Sequence, residues 1–449
     1  MPDDKPVRTD LAVILAAGEG SRFDLGDRPK PLVRVLGLTL AERVIDACLG
    51  VGVKRFVFVL GHRSEEVRAH LEPAIRRRGC TATYVVAEHW ECGNGASALS
   101  AAPVAQDRHF LLLMCDHLLS NAVLSEVLGV DPGPNGICLG VDHDRAAVFD
   151  PDDATRAVVA DGRVLRLGKR LECWDGTDTG VFCCSQGLFD GLRQAAAHGA
   201  HSLTDGLNEL ATAGRITEVD VTGEWWLDVD TPRDLSEARR LLLAGLAKPQ
   251  DDGYVARYLN RPLSRRISAP LSGTPITPNQ VTVLAFSLAV AGAVLFALGG
   301  LMGNVSGAVL VQFASVVDGC DGEIARLTHT ASPRGGWLDT VLDRYADLAI
   351  VAGVGFGAGP TDPVVWAGAL VAATGFILAS YVTKEFLLRH GRPYPTDIPA
   401  RLKKRDLRLF AIFVGGLAGH PFAALVAVGV LSHICVLVIV ARGWRLGAS

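Results

Sequence analysis

The sequence lacks a strong net charge, the paired cysteines of a zinc site and a secretion signal. Its formal net charge is −4 over 449 residues, which excludes a global positive field that would favour nucleic acid. The ten cysteines form no CxxC pair, and several, such as Cys48, Cys183 and Cys435, lie in apolar runs. We therefore expect reduced thiols in a cytosolic compartment. The polar, acidic start MPDDKPVRTD leads into no signal-peptide core, which predicts that the soluble half stays in the cytoplasm.

Two halves of different composition make up the chain. The first is mixed and charged, whereas from about residue 281 long apolar segments alternate with short basic ones. This change predicts a soluble domain over residues 1–246 and a membrane domain over 277–449. Residues 247–276 between them are expected to form a linker and a juxtamembrane amphipathic helix.

The soluble half alternates between strand and helix patterns. Residues 11–18, 55–61, 81–88 and 109–116 are short apolar runs that favour buried strands, and residues 42–52 have helical spacing. Such alternation predicts an α/β Rossmann-like domain with a mostly parallel sheet. Ligands of such sheets bind beyond the carboxyl ends of the strands.

A glycine loop, AAGEGSRF, follows the first predicted strand. Gly18 and Gly20 allow backbone N–H groups to face phosphate oxygens, and Arg22 and Lys30 add cations nearby. This combination favours a phosphate site over the alternative of a simple tight turn. Two other charged residues, Glu42 and His62, are expected on the surface.

The pattern LAAGEGSRF…RPKPL resembles the signature of the sugar-phosphate nucleotidyltransferases, which join an NTP to a phosphorylated alcohol and release pyrophosphate. The resemblance extends to WWLDVDTPRDL at residues 225–235. It implies catalytic roles for Arg22 and Lys30. It also implies substrate contacts by the following residues: Gly18, Gly20, Gly93, Asn94 and Gly95 with the nucleotide, Lys169 with the acceptor phosphate, and Asp178 and Thr179 with the alcohol.

The same resemblance implies that Asp116 and Asp230 hold Mg²⁺ or Mn²⁺. Nucleotidyl transfer brings two polyanions together, and a carboxylate-bound metal offsets their repulsion. A helix N-cap is the alternative for Asp116, and a turn is the alternative for Asp228 and Asp230. The metal role of Asp228 is left open.

The second half contains six candidate membrane spans, most of them near the length of about 20 residues that a bilayer core requires. Arginine and lysine precede the first span, lie between the second and third and between the fourth and fifth, and end the chain. This distribution places both termini in the cytoplasm. Thr277 and Pro278 are suited to begin the first span as its N-cap and first helical residue. The spans are residues 281–300, 304–325, 336–357, 364–385, 406–420 and 422–441.

The segment before the first span has an amphipathic pattern. Apolar residues recur at every fourth position from Val255 to Leu271, and Arg257, Arg261 and Arg265 share another face. We expect a helix on the membrane surface with its arginines toward anionic headgroups, bent by Pro262. The alternative is a packed linker helix.

Four aspartates interrupt the apolar half, at Asp318, Asp321, Asp339 and Asp343. Spacings of three and four residues place each pair on one face of a helix. Two helices joined by a short loop run antiparallel, so the pairs can face each other near the cytoplasmic side. Four converging carboxylates would repel one another, which predicts one or two divalent metals among them.

The spacing Asp-x2-Asp-Gly-x2-Ala-Arg-x8-Gly-x3-Asp-x3-Asp resembles the signature of the CDP-alcohol phosphatidyltransferases. The resemblance implies that the four aspartates hold metals on the CDP diphosphate. It also implies that Asp343 is the base toward the acceptor hydroxyl and that Gly322, Ala325 and Arg326 border the cytidine nucleotide. The alternatives are a polar hairpin neutralised by arginines, an ion or proton transporter, and a membrane sensor with a degenerate enzyme domain.

The two halves suit each other, because the first would make a nucleotide-activated alcohol and the second would consume a CDP-alcohol. The nucleotide is therefore expected to be CTP. The arrangement resembles the bifunctional inositol-1-phosphate cytidylyltransferase and di-inositol-phosphate-phosphate synthase family, which implies inositol 1-phosphate as the alcohol phosphate. Another polyol phosphate, such as that of glycerol, or a lipid acceptor is the alternative.

Two further expectations concern the membrane half. Basic residues between Lys384 and Arg408 either recognise an acceptor phosphate or are ordinary charges of a cytoplasmic loop. The expected setting is the inner cell membrane, with the catalytic parts facing the cytoplasm and the lipid bilayer as a partner. The glycine-rich spans are compatible with a homodimer.

Overall fold

A computed structural model describes residues 9–20, 28–105, 108–146, 148–247 and 252–446. The chain divides into two compact units, Met1–Leu241 and Leu242–Ser449. The first unit is an α/β fold and the second is helical. The predicted domain limits at residues 246 and 277 stay predictions.

The first unit contains thirteen strands and eight α-helices in its described residues. The strands are β1 Leu11–Ala16, β2 Arg34–Val35, β3 Leu38–Thr39, β4 Arg55–Leu60, β5 Thr81–Val86, β6 Phe110–Met114, β7 His117–Leu119, β8 Ile137–Asp142, β9 Arg156–Ala160, β10 Arg163–Gly168, β11 Gly176–Cys184, β12 Ile216–Asp220 and β13 Trp226–Asp228. The helices are α1 Leu40–Gly50, α2 Ser64–Arg77, α3 Asn94–Leu99, α4 Ala102–Ala105, α5 Asn121–Leu128, α6 Gly187–Ala197, α7 Leu203–Thr212 and α8 Pro232–Ala244.

Nine strands form one sheet in the order β5-β4-β1-β6-β11-β8-β12-β10-β9. The four strands predicted from apolar runs, β1, β4, β5 and β6, pair in parallel. Beyond β6, however, β11 runs antiparallel to both β6 and β8, and β10 pairs antiparallel with β9. The prediction of a mostly parallel sheet therefore holds for only half of it. A connection as short as the one between β9 and β10 can join only antiparallel neighbours.

The strand β1 shows why its sequence is apolar throughout. Its alternate residues Leu11, Val13 and Leu15 pack in one core, and the residues between them pack in the core on the opposite face of the sheet. Successive side chains of a strand point to opposite faces, so a strand that is covered on both sides needs no polar position. The carboxyl ends of β1 and β6 lie side by side and position Gly18 and Asp116.

Glu42 was expected on the surface, but it is buried, with only 5% of its surface exposed. That expectation is therefore wrong. Glu42 forms the capping box of α1 with Thr39, whose backbone N–H donates to its carboxylate over 3.0 Å. His70 of α2 and Arg78 each approach the carboxylate to 3.5 Å. Burial alone would raise the pKa of Glu42, but these partners more than offset it and lower the pKa to about 2. His62 is half-buried, edge-on to Trp90.

The second unit contains eight α-helices in its described residues. They are α9 Arg261–Leu271, α10 Pro278–Leu298, α11 Gly300–Leu327, α12 Pro333–Ala358, α13 Pro363–His390, α14 Ile398–Leu402, α15 Arg405–Leu417 and α16 Pro421–Leu446. As predicted, Thr277 caps α10, and its side chain accepts a hydrogen bond from the N–H of Gln280.

Four helices within the described residues, α10, α11, α13 and α16, are long and apolar enough to cross a membrane. They match the first, second, fourth and sixth predicted spans. The helices α12 and α15 occupy the other two predicted positions, but α12 carries several charges and α15 has 13 residues. Because a span requires about 20 apolar residues, the count of six stays a prediction.

The arginine face of α9 is only partly as expected. Arg261 points into the unit, where its guanidinium contacts the backbone carbonyl of Gly319 and the carboxylate of Glu323, each over 3.2 Å. Of the apolar stripe, Ile267 and Leu271 pack against the helices, whereas Leu263 is 40% exposed. The buried carboxylate of Glu323 accounts for the inward turn, because a buried charge requires a partner.

Candidate active sites

A cavity of about 500 Å³ opens at the carboxyl ends of β1 and β6 in the first unit. It is lined by eight residues singled out above, namely Gly18, Lys30, Asn94, Asp116, Lys169, Asp178, Asp228 and Asp230. The structure thus brings the predicted cations and carboxylates together. Arg22, predicted as a second phosphate-binding cation, lies outside the described residues.

Lys30 lies among the carboxylates of this cavity. Its ammonium group contacts one oxygen each of Asp116 and Asp230. Burial alone would lower the pKa of Lys30, but Asp116, Asp228 and Asp230 more than offset it and hold this pKa above its ordinary value. The side chain is therefore a permanent cation that is ready to meet an anionic substrate.

Asp228 and His117 form a second group beside Asp116. His117 Nε2 lies 3.6 Å from Asp228 Oδ2 and 3.9 Å from Asp116 Oδ1. Burial alone would lower the pKa of His117, but the carboxylates of Asp228 and Asp116 raise it to about 9. Sequence reasoning left Asp228 open and did not consider His117. The only signal for His117 was its position directly after Asp116, where the chain leaves the strand.

The glycine-rich loop at the start of α3 is held by the segment that precedes α7. Asn94 Oδ1 accepts a hydrogen bond from the N–H of Leu203 over 2.8 Å. A Cβ atom at Gly93 would lie 2.7 Å from the carbonyl oxygen of His201, and one at Gly95 would lie 2.6 Å from the backbone of Ser202. These glycines therefore allow two backbones to approach closely, and Asn94 faces the cavity.

The residues predicted to meet the alcohol lie in different surroundings. Lys169 Nζ donates to Asp153 over 2.6 Å at the cavity wall. Asp178 accepts from the N–H of Gly180, and burial raises the pKa of Asp178 to about 6. The hydroxyl of Thr179 is fully buried and donates to the carbonyl oxygen of Gly140, so it faces the sheet. Gly20 packs against the side chain of Lys30.

The second unit places Asp318 of α11 beside Asp339 and Asp343 of α12. One carboxylate oxygen of each lies within 4.8 Å of the others. The fourth predicted ligand, Asp321, accepts a hydrogen bond from the hydroxyl of Thr282 over 2.6 Å.

Arg405 balances part of this negative charge. Its guanidinium lies 3.2 Å from Asp318, 2.7 Å from Asp343 and 2.9 Å from Asp347. Asp347 is buried and sits four residues after Asp343 on the same face of α12. That spacing was the available signal for Asp347. Arg405 was recognised only as one member of a basic segment.

The predicted nucleotide contacts lie one turn further along α11. Ala325 is buried, and a Cβ atom at Gly322 would lie 3.1 Å from Arg326 Nη1. Among the described residues, Arg326 Nε and Nη2 are buried without a hydrogen-bond partner. An unpaired guanidinium N–H is costly when buried, so these atoms are suited to receive an anionic ligand.

Both acidic groups suit a divalent cation. In the first, Asp116 Oδ1 and Asp228 Oδ1 are buried and have no hydrogen-bond partner among the described residues. In the second, three carboxylates converge, with Arg405 against Asp318 and Asp343 and Arg344 against Asp343. Carboxylate oxygens are the preferred ligands of Mg²⁺. The chain therefore presents acidic clusters that fit such ions in both units.

Fold and sites together define two transferase domains. Residues 12–213 match the MobA-like NTP transferase domain, and residues 275–441 match the CDP-alcohol phosphatidyltransferase family. The chain thus carries a nucleotidyltransferase domain followed by a membrane-type CDP-alcohol phosphatidyltransferase domain.

Relatives that match this chain over nearly their full length are named for two activities. The chain is 39% identical to a "Bifunctional IPC transferase and DIPP synthase" of Rubrobacter xylanophilus over 96% of this chain and 97% of that one. A protein of the same name from Aquifex aeolicus is 33% identical over 97% and 98%. A solved structure, the inositol-1-phosphate CTP transferase from T. maritima, is 27% identical over 52% of this chain and 95% of that one, with a TM-score of 0.48. The chain belongs to the family of bifunctional IPC transferases and DIPP synthases, which confirms the expected pairing of domains.

Proposed function

We propose that the chain catalyses two consecutive reactions. CTP and inositol 1-phosphate give CDP-inositol and diphosphate, and CDP-inositol with a second inositol 1-phosphate then gives di-inositol phosphate phosphate and CMP. The observation that carries the proposal is the match of 96% of this chain to a relative whose name states both activities. Both acidic clusters are intact in this chain, which agrees with two active centres.

In the first reaction, a phosphate oxygen of inositol 1-phosphate attacks the α-phosphorus of CTP, and the bond to the departing diphosphate breaks. Lys30, held between Asp116 and Asp230, offsets the charge of the triphosphate. Lys169 reaches the acceptor phosphate from the cavity wall, and the Asp178 carboxylate accepts hydrogen bonds from inositol hydroxyls. A divalent metal on Asp116 and on Asp230 or its neighbour Asp228 would supply charge stabilisation to the leaving diphosphate.

In the second reaction, a hydroxyl of the acceptor attacks the phosphorus that carries inositol, and CMP leaves. Asp343 is placed to accept the hydroxyl proton, and Arg405, at 2.7 Å, holds that carboxylate in position. The unpaired N–H groups of Arg326 bind the nucleotide phosphates. Metals on Asp318, Asp321, Asp339 and Asp343 would screen the diphosphate charge.

The location and the finer assignments are part of the same proposal. Lysine and arginine lie in the loops expected inside the cell, so both reactions would occur at the cytoplasmic face of the inner membrane. Mg²⁺ or Mn²⁺ would be the metal in both units. Four apolar helices support a bilayer setting, and a homodimer is compatible with the glycine-rich helices.

The direct test supplies membranes containing the chain with CTP, Mg²⁺ and inositol 1-phosphate. We expect CDP-inositol followed by a water-soluble phosphodiester, separated by anion-exchange chromatography. If only glycerol phosphate or another alcohol phosphate released diphosphate, the inositol assignment would be wrong. Extraction of the labelled product into organic solvent would instead reveal a lipid acceptor. No nucleotide turnover at all would favour the transporter or sensor alternatives.

A pair of matched carboxylate variants separates the two steps. Asp343→Asn should lower formation of the diester by roughly 10²–10⁴-fold, the usual contribution of a general base. CDP-inositol should then accumulate. Asp116→Asn should stop CDP-inositol formation, yet the membranes should still convert added CDP-inositol. A diester that persisted at the full rate in Asp343→Asn would remove Asp343 from the site.

A further inference from the structure

His117 has a role that the two reactions above leave unassigned. It starts β7, directly after Asp116, and its ring lines the nucleotidyltransferase cavity. The side chain is 13% exposed, so the ring belongs to the cavity wall and not to the outer surface.

The orientation of the ring is fixed from behind. His117 Nδ1 lies 3.2 Å from the carbonyl oxygen of Thr179. A carbonyl oxygen only accepts, so Nδ1 is the donor and carries a hydrogen. When a metal ion takes the place of the proton on Nε2, the Nε2 lone pair is directed into the cavity. Metal-binding histidines are characteristically held in this way, by a hydrogen bond from the other ring nitrogen to a backbone carbonyl or a carboxylate.

Gly180 makes the space for this ring. A Cβ atom there would lie 2.1 Å from His117 Cε1 and Nδ1, and the residue has a φ of +72°, which favours glycine. The His117 ring therefore occupies space that any side chain at position 180 would fill.

His117 Nε2 faces two carboxylates at distances too long for hydrogen bonds. It is 3.6 Å from Asp228 Oδ2 and 3.9 Å from Asp116 Oδ1. Neighbouring ligand atoms of a six-coordinate ion with bonds of about 2.1 Å are about 3 Å apart. Small side-chain rotations would therefore bring His117 Nε2 and the two carboxylate oxygens to bonding distance of one ion. Lys30 contacts the other oxygen of Asp116, which leaves Oδ1 for this purpose.

We propose that His117 Nε2 is a ligand of the divalent metal in the nucleotidyltransferase site, together with Asp116 and Asp228. The ion lies on the Asp228 side of Asp116, opposite Lys30. A nitrogen donor favours Mn²⁺ and later transition metals over Mg²⁺ more than a set of oxygens alone does. The inference rests on the proposed function only for the assignment of this cavity to nucleotidyl transfer.

The test uses the full-length chain in detergent, free of any histidine tag, loaded with Mn²⁺ in the absence of nucleotide. Electron spin-echo envelope modulation detects nitrogen nuclei bound to Mn²⁺. We expect ¹⁴N modulation in the unchanged chain and its replacement by ¹⁵N modulation after labelling with ¹⁵N-histidine. The other acidic cluster offers carboxylate oxygens from Asp318, Asp339 and Asp343, so the nitrogen signal reports the first cavity.

Two variants test whether the nitrogen signal comes from His117. His117→Gln and His117→Asn should each remove the nitrogen modulation and weaken the binding of one Mn²⁺ by at least about tenfold, since loss of a supporting partner alone costs 10–100-fold. Absence of nitrogen modulation in the Mn²⁺-saturated unchanged chain, or its persistence in both variants, would overturn the proposal. The labelling experiment needs no variant to fold.

Turnover measured on the same samples separates the two hypotheses. Nitrogen modulation without conversion of CTP would support the metal ligand and contradict the proposed function. Normal conversion of CTP without nitrogen modulation would support the proposed function and contradict the metal ligand.

Discussion

Single residues solve the problem of concentrated negative charge differently in the two units. In the first, Lys30 contacts Asp116 and Asp230, and His117 lies beside their neighbour Asp228. In the second, Arg405 reaches across three carboxylates of two helices. A flexible ammonium can move away when a substrate arrives, whereas a guanidinium fixed by several carboxylates keeps its geometry. The first cluster is therefore the more adaptable of the two.

Glu42 gives a prediction at the scale of one residue. Its folded pKa of about 2 lies below the ordinary value of 4.5. A depressed pKa means stability that is present above pH 4.5 and lost as the pH falls toward 2. Glu42→Gln should lower the free energy of unfolding of the first unit by about 1–3 kcal/mol near pH 7. By calorimetry, the unfolding temperature should fall by several degrees.

The pH dependence distinguishes this origin from lost packing. The difference between Glu42→Gln and the unchanged chain should shrink from pH 5 downward, because the unfolded chain takes up a proton on Glu42 near pH 4.5 whereas the folded chain does so only near pH 2. Glu65→Gln, at an exposed position of the neighbouring helix α2, is the control and should have little effect. A difference that stayed constant with pH would contradict the electrostatic explanation.

At the scale of elements, polar side chains connect the helices α9 and α11. Glu323 is fully buried and accepts hydrogen bonds from the hydroxyls of Ser264 and Ser268, each over 2.7 Å, and from Arg261. Asp252 holds the other side of Arg261. The helix before the first span is therefore fixed to the helix that carries Asp318 and Asp321.

Breaking this connection should affect one reaction more than the other. Glu323→Ala leaves Arg261 and two serines without their shared partner, and breaking a buried ion pair costs about 3–5 kcal/mol. We expect a lower thermal unfolding temperature and slower diester formation, with CDP-inositol formation close to normal. Arg266→Gln, on the exposed side of α9, is the matched control. Equal losses in both reactions would indicate general unfolding of the chain.

Elements with a strong period were predictable, and long-range partners were not. The apolar run of β1 and the Thr277 cap of α10 are local patterns, and both appear in the structure. The antiparallel β11, the burial of Glu42 and the inward turn of Arg261 depend on residues distant in sequence. Spacing grouped the aspartates on α11 and α12, but the hydroxyl that holds Asp321 belongs to Thr282 on another helix.

At the scale of the whole molecule, each unit has its own acidic cluster and its own compact core. Each reaction should therefore survive loss of the other. Vesicles containing only Asp116→Asn, mixed with vesicles containing only Asp343→Asn, should together form the diester from CTP and inositol 1-phosphate. CDP-inositol made by the second variant would reach the first through solution.

Vesicles of each variant alone and added unlabelled CDP-inositol are the controls of the mixing experiment. Either type of vesicle alone should form little or no diester, and added unlabelled CDP-inositol should dilute the label in the product. Failure of the mixture, with both half-reactions active separately, would show that the intermediate must pass within one chain or one assembly.

The charges of α12 also bear on how the chain is made. Asp339, Asp343, Arg344 and Asp347 lie along a helix that falls short of the apolar character of its neighbours. A charged residue near the centre of a span costs about 2.5–3.5 kcal/mol at insertion. Arg405, which pairs with two of these aspartates, is synthesised nearly sixty residues after Asp347, the separation along the chain being 58. If α12 spans the bilayer as predicted, Arg344 of the same helix can pair with Asp343 and Asp347 at insertion, and Arg405 joins them only after it has been translated.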